Sequence, residues 1–364
     1  SILKKTPPYF KEYYMKNKEP VMLTTFVRDG SGKTSRRPDD FGVMINMLVV
    51  LIVTAAMSVY YYGLRAAVLC LLCVGVCWVL DVLCLIIRKK SLHIHDVSPI
   101  ITGLLIAMMM PASVPYTVAA AACAFAICIA KHPFGGHGAE IVSCGAAGYI
   151  FAELCFPTAV LTYPKPMTHL SLANSVTDTL YPSFTSSVMH STSASYTDIE
   201  LLIGSFTGPM GCTFTVLTIV CALYLISRKA ISGTVFFTEL ILVLGWNFAV
   251  GGHFRMKTAL VGGMLLFGLT FLSSDRHIMN KSVPEKVFFG AVTALIIVSV
   301  SWISKLENPV VYAVILAAPF SRLTGKFAEL SRRRKRVKNI FGKYADDINE
   351  TIAMTGGGEN DSEH

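Results

Sequence analysis

Residues 42–90 read GVMINMLVVLIVTAAMSVYYYGLRAAVLCLLCVGVCWVLDVLCLIIRKK. Two apolar runs, 42–62 and 64–87, meet at Gly63, and the second stops at Arg88-Lys89-Lys90. Each reaches the ~20 residues that a helix needs to cross a bilayer. In hydrocarbon every backbone N–H and C=O must bond within its own segment, so both runs are helices. The second returns to the side from which the first departed, where three cations hold its end in water.

The pattern extends in both directions. Eight more apolar segments follow, at 98–112, 116–130, 138–157, 200–226, 231–250, 258–273, 286–304 and 309–321, giving ten in all. With the N-terminal tail inside and the sides alternating, 27 of the 32 Lys and Arg fall inside. Outside receives Arg65, Lys165, Arg255, Lys257 and Lys305. Short-loop Lys and Arg resist translocation, so this bias places both termini in the cytoplasm. A wrong segment count would scramble the asymmetry.

The chain is 53% hydrophobic and 15% charged, whereas a soluble domain averages about a quarter charged. The expected fold is therefore an all-α integral membrane protein. The net charge of +9 sits mainly in two tails, where it orients the chain and meets anionic lipid; no nucleic-acid partner is expected. The first forty residues are polar and the first apolar run is full length, so no cleavable leader is expected. Most of the ten cysteines lie in apolar helices and read as small hydrophobes.

Five regions follow: a basic arm at 1–41, a first five-helix group at 42–157, a Ser/Thr-rich outer loop at 158–199, a second five-helix group at 200–325, and a basic, then disordered, tail at 326–364. The arm is expected to be irregular or an interfacial helix. An odd number of spans per half gives halves of opposite orientation, the arithmetic of two inverted repeats. The third and tenth segments are short and sit against Met110-Pro111 and Asn308-Pro309. Interrupted spans point to a site near the midplane.

Three carboxylates fall deep in apolar segments: Asp81, Glu153 and Glu239. An intramembrane carboxylate is costly unless paired or wetted, which makes these the candidates for an ion or proton path. Their alternative is a helix-end position or a bond to a neighbouring hydroxyl. Asp81 shares a helix face with Cys70, Cys73, Cys77 and Cys84, a face read as packing surface. His93 and His95 beside Asp96 read as interfacial, and Trp246 with Asn247 as an aromatic-belt anchor. The loop from Lys131 through Gly135, Gly136 and Gly138 exposes backbone N–H groups ahead of a helix start, which suits an anion or a polar ring. The stretch Ser186 to Tyr196 is rich in hydroxyls, as a linker or as a carrier of a covalent group. Gly204, Gly208 and Gly211 have the spacing of tight helix packing or of close ligand approach.

Several of these pieces resemble one family. Asp96 through Thr102-Gly103-Leu104-Leu105 to Pro111 and Pro115, then Phe134-Gly135-Gly136-His137-Gly138, then Gly204 to Thr213 with its basic exit Arg228-Lys229, then Leu272-Ser273-Ser274-Asp275, resemble in order the D subunit of Rnf electron-transport complexes and the related B subunit of the Na⁺-translocating NADH:quinone reductase. The resemblance runs from about 40 to 325. It implies ten helices in two repeats, similar to urea and ammonium transporters. It implies a subunit of a bacterial inner-membrane oxidoreductase complex, ferredoxin- or NADH-linked and coupled to Na⁺ or H⁺, and no enzyme by itself. The implied partners are other membrane and extracytoplasmic subunits, including an FMN-bearing G-type subunit.

The resemblance also implies cofactors. FMN is held by a phosphoester to a hydroxyl in the outer loop; the matching residues are Thr192 and Ser195. A second flavin, such as riboflavin, is expected near Gly135, Gly136, Gly138 and Glu140, with Thr102, Gly103, Gly211 and Thr213 in the same set. The chain departs from the family at Ser195, which stands where the family has Thr, with no Asp upstream. It departs again at Glu140, where an amide that donates and accepts becomes an acceptor-only carboxylate. A flavin-free scaffold for an extracytoplasmic flavoprotein, and a channel for a small neutral solute, are the rival readings.

Overall fold

A computed structural model of the chain describes residues 27–28, 34–35, 40–89, 96–134, 142–168, 170–173, 180–189, 198–262, 264–273, 282–304 and 306–320. Among the sequence candidates, His93, His95, Gly135, Gly136, Gly138, Glu140, Thr192 and Ser195 lie outside the described residues, as do Ser274, Asp275 and the C-terminal tail. The chain divides into two units, Ser1–Val43 and Met44–His364. In the first, β1 (Val27–Arg28) pairs antiparallel with β2 (Thr34–Ser35), a short ladder where an irregular arm or interfacial helix was expected.

The second unit is helical. Helix α1 (Asp40–Tyr62) ends at Gly63, whose φ of 72° reverses the chain at small cost because glycine has no Cβ. Helix α2 (Leu64–Ile87) ends one residue before Arg88 and Lys89. Helix α3 (Ser98–Met109) has Pro99 in its first turn, and just ahead of it the Asp96 carboxylate accepts the Ser98 N–H at 2.9 Å. It stops before Pro111, which offers no N–H to continue. Helix α4 (Tyr116–Phe125) continues as a π-helix over Ala126–Lys131. Helix α5 (Cys144–Cys155) and the short α6 (Pro157–Val160) and α7 (Phe184–Met189) follow.

The later half begins with α8 (Asp198–Ile203), a non-helical stretch from Gly204 to Phe214, and α9 (Thr215–Ser227). Helix α10 (Gly233–Val261) is kinked at Gly251 and Gly252, the latter at φ 63°. It breaks at Gly262, and α11 (Leu265–Phe267) runs on as a π-helix over Gly268–Leu272. Helices α12 (Val283–Ser304) and α13 (Pro309–Phe320) complete the described chain. Segment 258–273, read as one span, is thus the tail of α10 joined through a break to α11, because Gly262 leaves the helical region and Gly251-Gly252 moves the bend upstream.

Among the described residues, four helices are long and apolar enough to cross a membrane: Phe41–Tyr62, Leu64–Ile87, Gly233–Val261 and Val283–Ser304. Their flanks leave Leu71, Ile87 and Ile303 exposed, an apolar surface that lipid covers.

The two interruptions flanking α3 and α9 meet in the interior. The Gly211 N–H donates to the Met108 carbonyl at 2.8 Å and the Met210 N–H to the Met110 carbonyl at 3.1 Å. Ser58 of α1 closes the junction by donating to the Met210 carbonyl at 2.9 Å. Met108, Met110, Met210 and Ser58 are all buried. Irregular backbone survives at membrane depth where protein shields it and its polar groups find partners, which is the arrangement here.

Candidate functional site

Buried acids and bases define the polar interior. Arg65, at the start of α2, is buried, and its five N–H groups reach five carbonyls: Ala112 at 2.6 Å, Ser171 at 2.7 Å, Ala173 at 2.5 Å, Ser113 at 3.3 Å and Val114 at 3.0 Å. Its guanidinium also stacks over the Tyr116 ring, 4.8 Å from the centroid. It thereby ties the turn between α3 and α4 to the 158–199 segment, which also holds on through Ser113 Oγ to the Thr162 carbonyl and the Met167 N–H to the Tyr61 carbonyl. Sequence reading counted Arg65 only as a loop charge.

Asp81 lies toward the opposite end of α2, and its Oδ1 receives both Lys131 Nζ at 3.0 Å and His132 Nε2 at 2.9 Å. Lys131 Nζ also lies 4.0 Å from Asp96 Oδ2, and Arg88 donates to the His132 carbonyl. The final residue of the π-helix thus delivers the cation that neutralises Asp81. A carboxylate held this way has its charge already balanced by protein. In a denaturant titration Asp81→Asn alone should destabilise the fold by about 3–5 kcal/mol, because it leaves the buried Lys131 ammonium with only the Asp96 carboxylate, 4.0 Å away. The double variant with Lys131→Met should recover most of that loss in the same denaturant titration.

Glu239 of α10 is fully buried. Ser273, at the end of the second π-helix, donates to its Oε2 at 2.8 Å. The Thr293 hydroxyl of α12 is a neighbour, but it donates instead to the Phe289 carbonyl at 3.0 Å. Glu153 of α5 is 4% exposed, and neither carboxylate oxygen has a hydrogen bond. Around it lie Tyr149 of α5, Tyr163, Glu307, and Tyr312 of α13. Asn308 Nδ2 donates to the Tyr149 hydroxyl at 2.8 Å, joining α5 to the start of α13. Sequence reading missed Glu307 and the tyrosines. The signal available was Asn308-Pro309, which marked a helix break beside the acid.

The described members of the cofactor set serve the packing. Thr102 Oγ1 donates to the Ser98 carbonyl of its own helix at 3.0 Å. A Cβ on Gly103 would meet the Cys73 carbonyl oxygen at 2.8 Å, so α3 touches the α2 backbone there. The Gly211 N–H is taken by Met108, and Thr213 is buried with its hydroxyl 3.5 Å from the Met210 carbonyl. These buried hydrogen bonds and close backbone contacts give each of the four residues a packing role. Cys70, Cys73 and Cys77 are buried along α2 as packing residues.

A helical core with four full-length apolar helices, internally paired breaks and lipid-ready flanks defines a multi-pass membrane protein. Residues 33–330 match the NQR2, RnfD, RnfE family, and the chain belongs to it. It is 24% identical over 310 residues to the D subunit of the proton-translocating ferredoxin:NAD(+) oxidoreductase complex of Clostridium ljungdahlii, covering 79% of this chain and 89% of that protein. It is 23% identical over 317 residues to the D subunit of the ion-translocating oxidoreductase complex of Salmonella paratyphi A, covering 76% and 89%. A shorter match, 28% over 150 residues, links it to the D subunit of the ion-translocating oxidoreductase complex of Actinobacillus succinogenes, 41% of each chain.

Proposed function

We propose that this chain is the D-type membrane subunit of an Rnf-like complex that couples electron transfer to Na⁺ or H⁺ movement. The observation that supports this reading is the family match across 33–330, which takes in the helical core and the hydroxyl-rich segment together. In this reading ten spans form two inverted repeats in the bacterial inner membrane, with both termini cytoplasmic. The contact of α5 with α13 through Tyr149 and Asn308 favours it, since these are the last spans of each half.

The redox part of the reading rests on the outer loop. Thr192 or Ser195 would carry FMN, and Gly135 to Glu140 would border a second flavin such as riboflavin. Flavin would supply the electron chemistry, and the chain would place it. Partners would include the other membrane subunits and an FMN-bearing G-type subunit. For the ion path, Glu153 and Glu239 lack a basic partner among the described residues, whereas Asp81 has one. The rival reading, a flavin-free scaffold, is favoured by Ser195 at the attachment position.

In-gel flavin fluorescence after coexpression with a flavin transferase separates the two. The redox reading expects a fluorescent band that darkens in one of Thr192→Ala and Ser195→Ala. A dark wild-type band beside a bright control would reject covalent flavin and leave the scaffold.

A further inference from the structure

The acids of the interior differ in how their charge is met. Asp81 has Lys131. Glu153 and Glu307 are like-charged neighbours, and no Lys, Arg or His among the described residues forms an ion pair with either. Two carboxylates in one buried cluster carry a cost that no basic group among the described residues offsets.

The surrounding groups are oxygens with capacity to spare. Both Glu153 oxygens, the Tyr163 and Tyr312 hydroxyls and Asn308 Oδ1 are buried without hydrogen bonds. The Tyr312 hydroxyl lies beside Glu153, and the Tyr163 and Ser183 hydroxyls beside Glu307. Asn308 donates an amide N–H to Tyr149, and its carbonyl oxygen remains an unused acceptor. Buried polar atoms in native proteins are satisfied by protein, water or a ligand. An all-oxygen set of carboxylates, an amide oxygen and hydroxyls suits a hard cation, and it lacks the His and Cys that transition metals prefer.

There is also a route. A cavity of about 170 Å³ lies between α10, α12 and the start of α13, and Glu307 is in its wall together with Trp246, Asn247, Trp302 and Pro309. Arg255, also in the wall, is exposed and stacks over the Trp302 ring at 6.0 Å, with no ion pair to Glu307. Glu307 therefore belongs both to the cavity wall and to the acid cluster.

We infer that Glu153 and Glu307, with Asn308 Oδ1 and the hydroxyls of Tyr163 and Tyr312, form a binding site for a monovalent alkali cation, reached through the cavity beside Trp246 and Trp302. The choice of a monovalent over a divalent ion rests on the proposed ion-translocating role; the site itself rests on the unpartnered oxygens.

The test is the thermal unfolding midpoint of the purified full-length protein, titrated with NaCl against choline chloride at equal ionic strength. A ligand that binds only the native state raises the midpoint by mass action. The expected result is a saturating rise with Na⁺ that is absent with choline and lost in both Glu153→Gln and Glu307→Gln. These substitutions keep shape and remove charge, so each variant should unfold cooperatively in choline chloride. Tryptophan fluorescence of the wild-type protein gives a second readout that needs no variant, because Trp246 and Trp302 line the route; Na⁺ should change it saturably. Coincident Na⁺ and choline curves, a response to Ca²⁺ alone, or a full Na⁺ response in the Gln variants would overturn the site. The in-gel flavin assay uses neither readout, so loss of the cation site and loss of the redox reading are separable.

Discussion

Arg65→Ala should be among the most damaging single substitutions in the chain, at about 3–5 kcal/mol of stability. The side chain is buried and all five of its N–H groups are used on carbonyls of Ala112, Ser113, Val114, Ser171 and Ala173. A buried acceptor left without a donor costs about 1–3 kcal/mol, and charged donors sit at the upper end. Water and loop relaxation will recover part of the sum. Arg65→Lys should be intermediate, since an ammonium offers three donors and lacks the planar fork. A denaturant titration reads the loss. Limited proteolysis adds a local readout: cleavage around 170–173 should accelerate in Arg65→Ala, because that backbone loses its anchor to α2.

Gly211→Ala should cost about 3 kcal/mol or more. The added Cβ would stand 2.6 Å from Met108 Cβ and 3.1 Å from the Met108 carbonyl oxygen. Overpacking alone costs about 1–3 kcal/mol. Here the displaced atoms also belong to the junction between the two helix breaks, so the Gly211–Met108 and Met210–Met110 hydrogen bonds are strained together. Gly103→Ala should behave similarly, because its Cβ would meet the Cys73 carbonyl oxygen and Val74 Cα at 2.8 Å, and backbone cannot rotate away. Gly75→Ala, inside the same α2 with nothing within 4 Å, is the control. It should be neutral or stabilise by about 0.5–1 kcal/mol, as glycine is a poor helix former. Unfolding of the three variants side by side checks the ranking.

The helices were legible because the bilayer imposes a length and a hydrogen-bond rule on each segment separately. Runs 42–62 and 64–87 needed nothing beyond their own composition, and Gly63 marked the reversal. The glycines at 204 and 211 were legible as sites of close approach, but their partners were not. Gly211 meets Met108 across about a hundred residues of chain, and only packing decides that pairing. Segment 258–273 was misjudged for a related reason: hydropathy averages over a break such as Gly262 and reports one span.

Side-chain charge was where local reading ran out. Asp81, Glu153 and Glu239 look alike in sequence, each a carboxylate in an apolar run. The structure gives Asp81 a lysine and a histidine, Glu239 a serine, and Glu153 a second carboxylate. Those partners come from other helices, 34 residues away for Ser273 and 51 for His132. Arg65 shows the same limit, since its carbonyls lie 47 to 108 residues away.

By itself the sequence determined that this is a helical membrane protein and where its long apolar helices lie. These are properties of residues taken in short windows, and lipid enforces them without reference to the rest of the chain. Only the tertiary structure decided which breaks pair, which buried charge is neutralised by protein, and which oxygens are left facing one another, because each of those is a distance between helices.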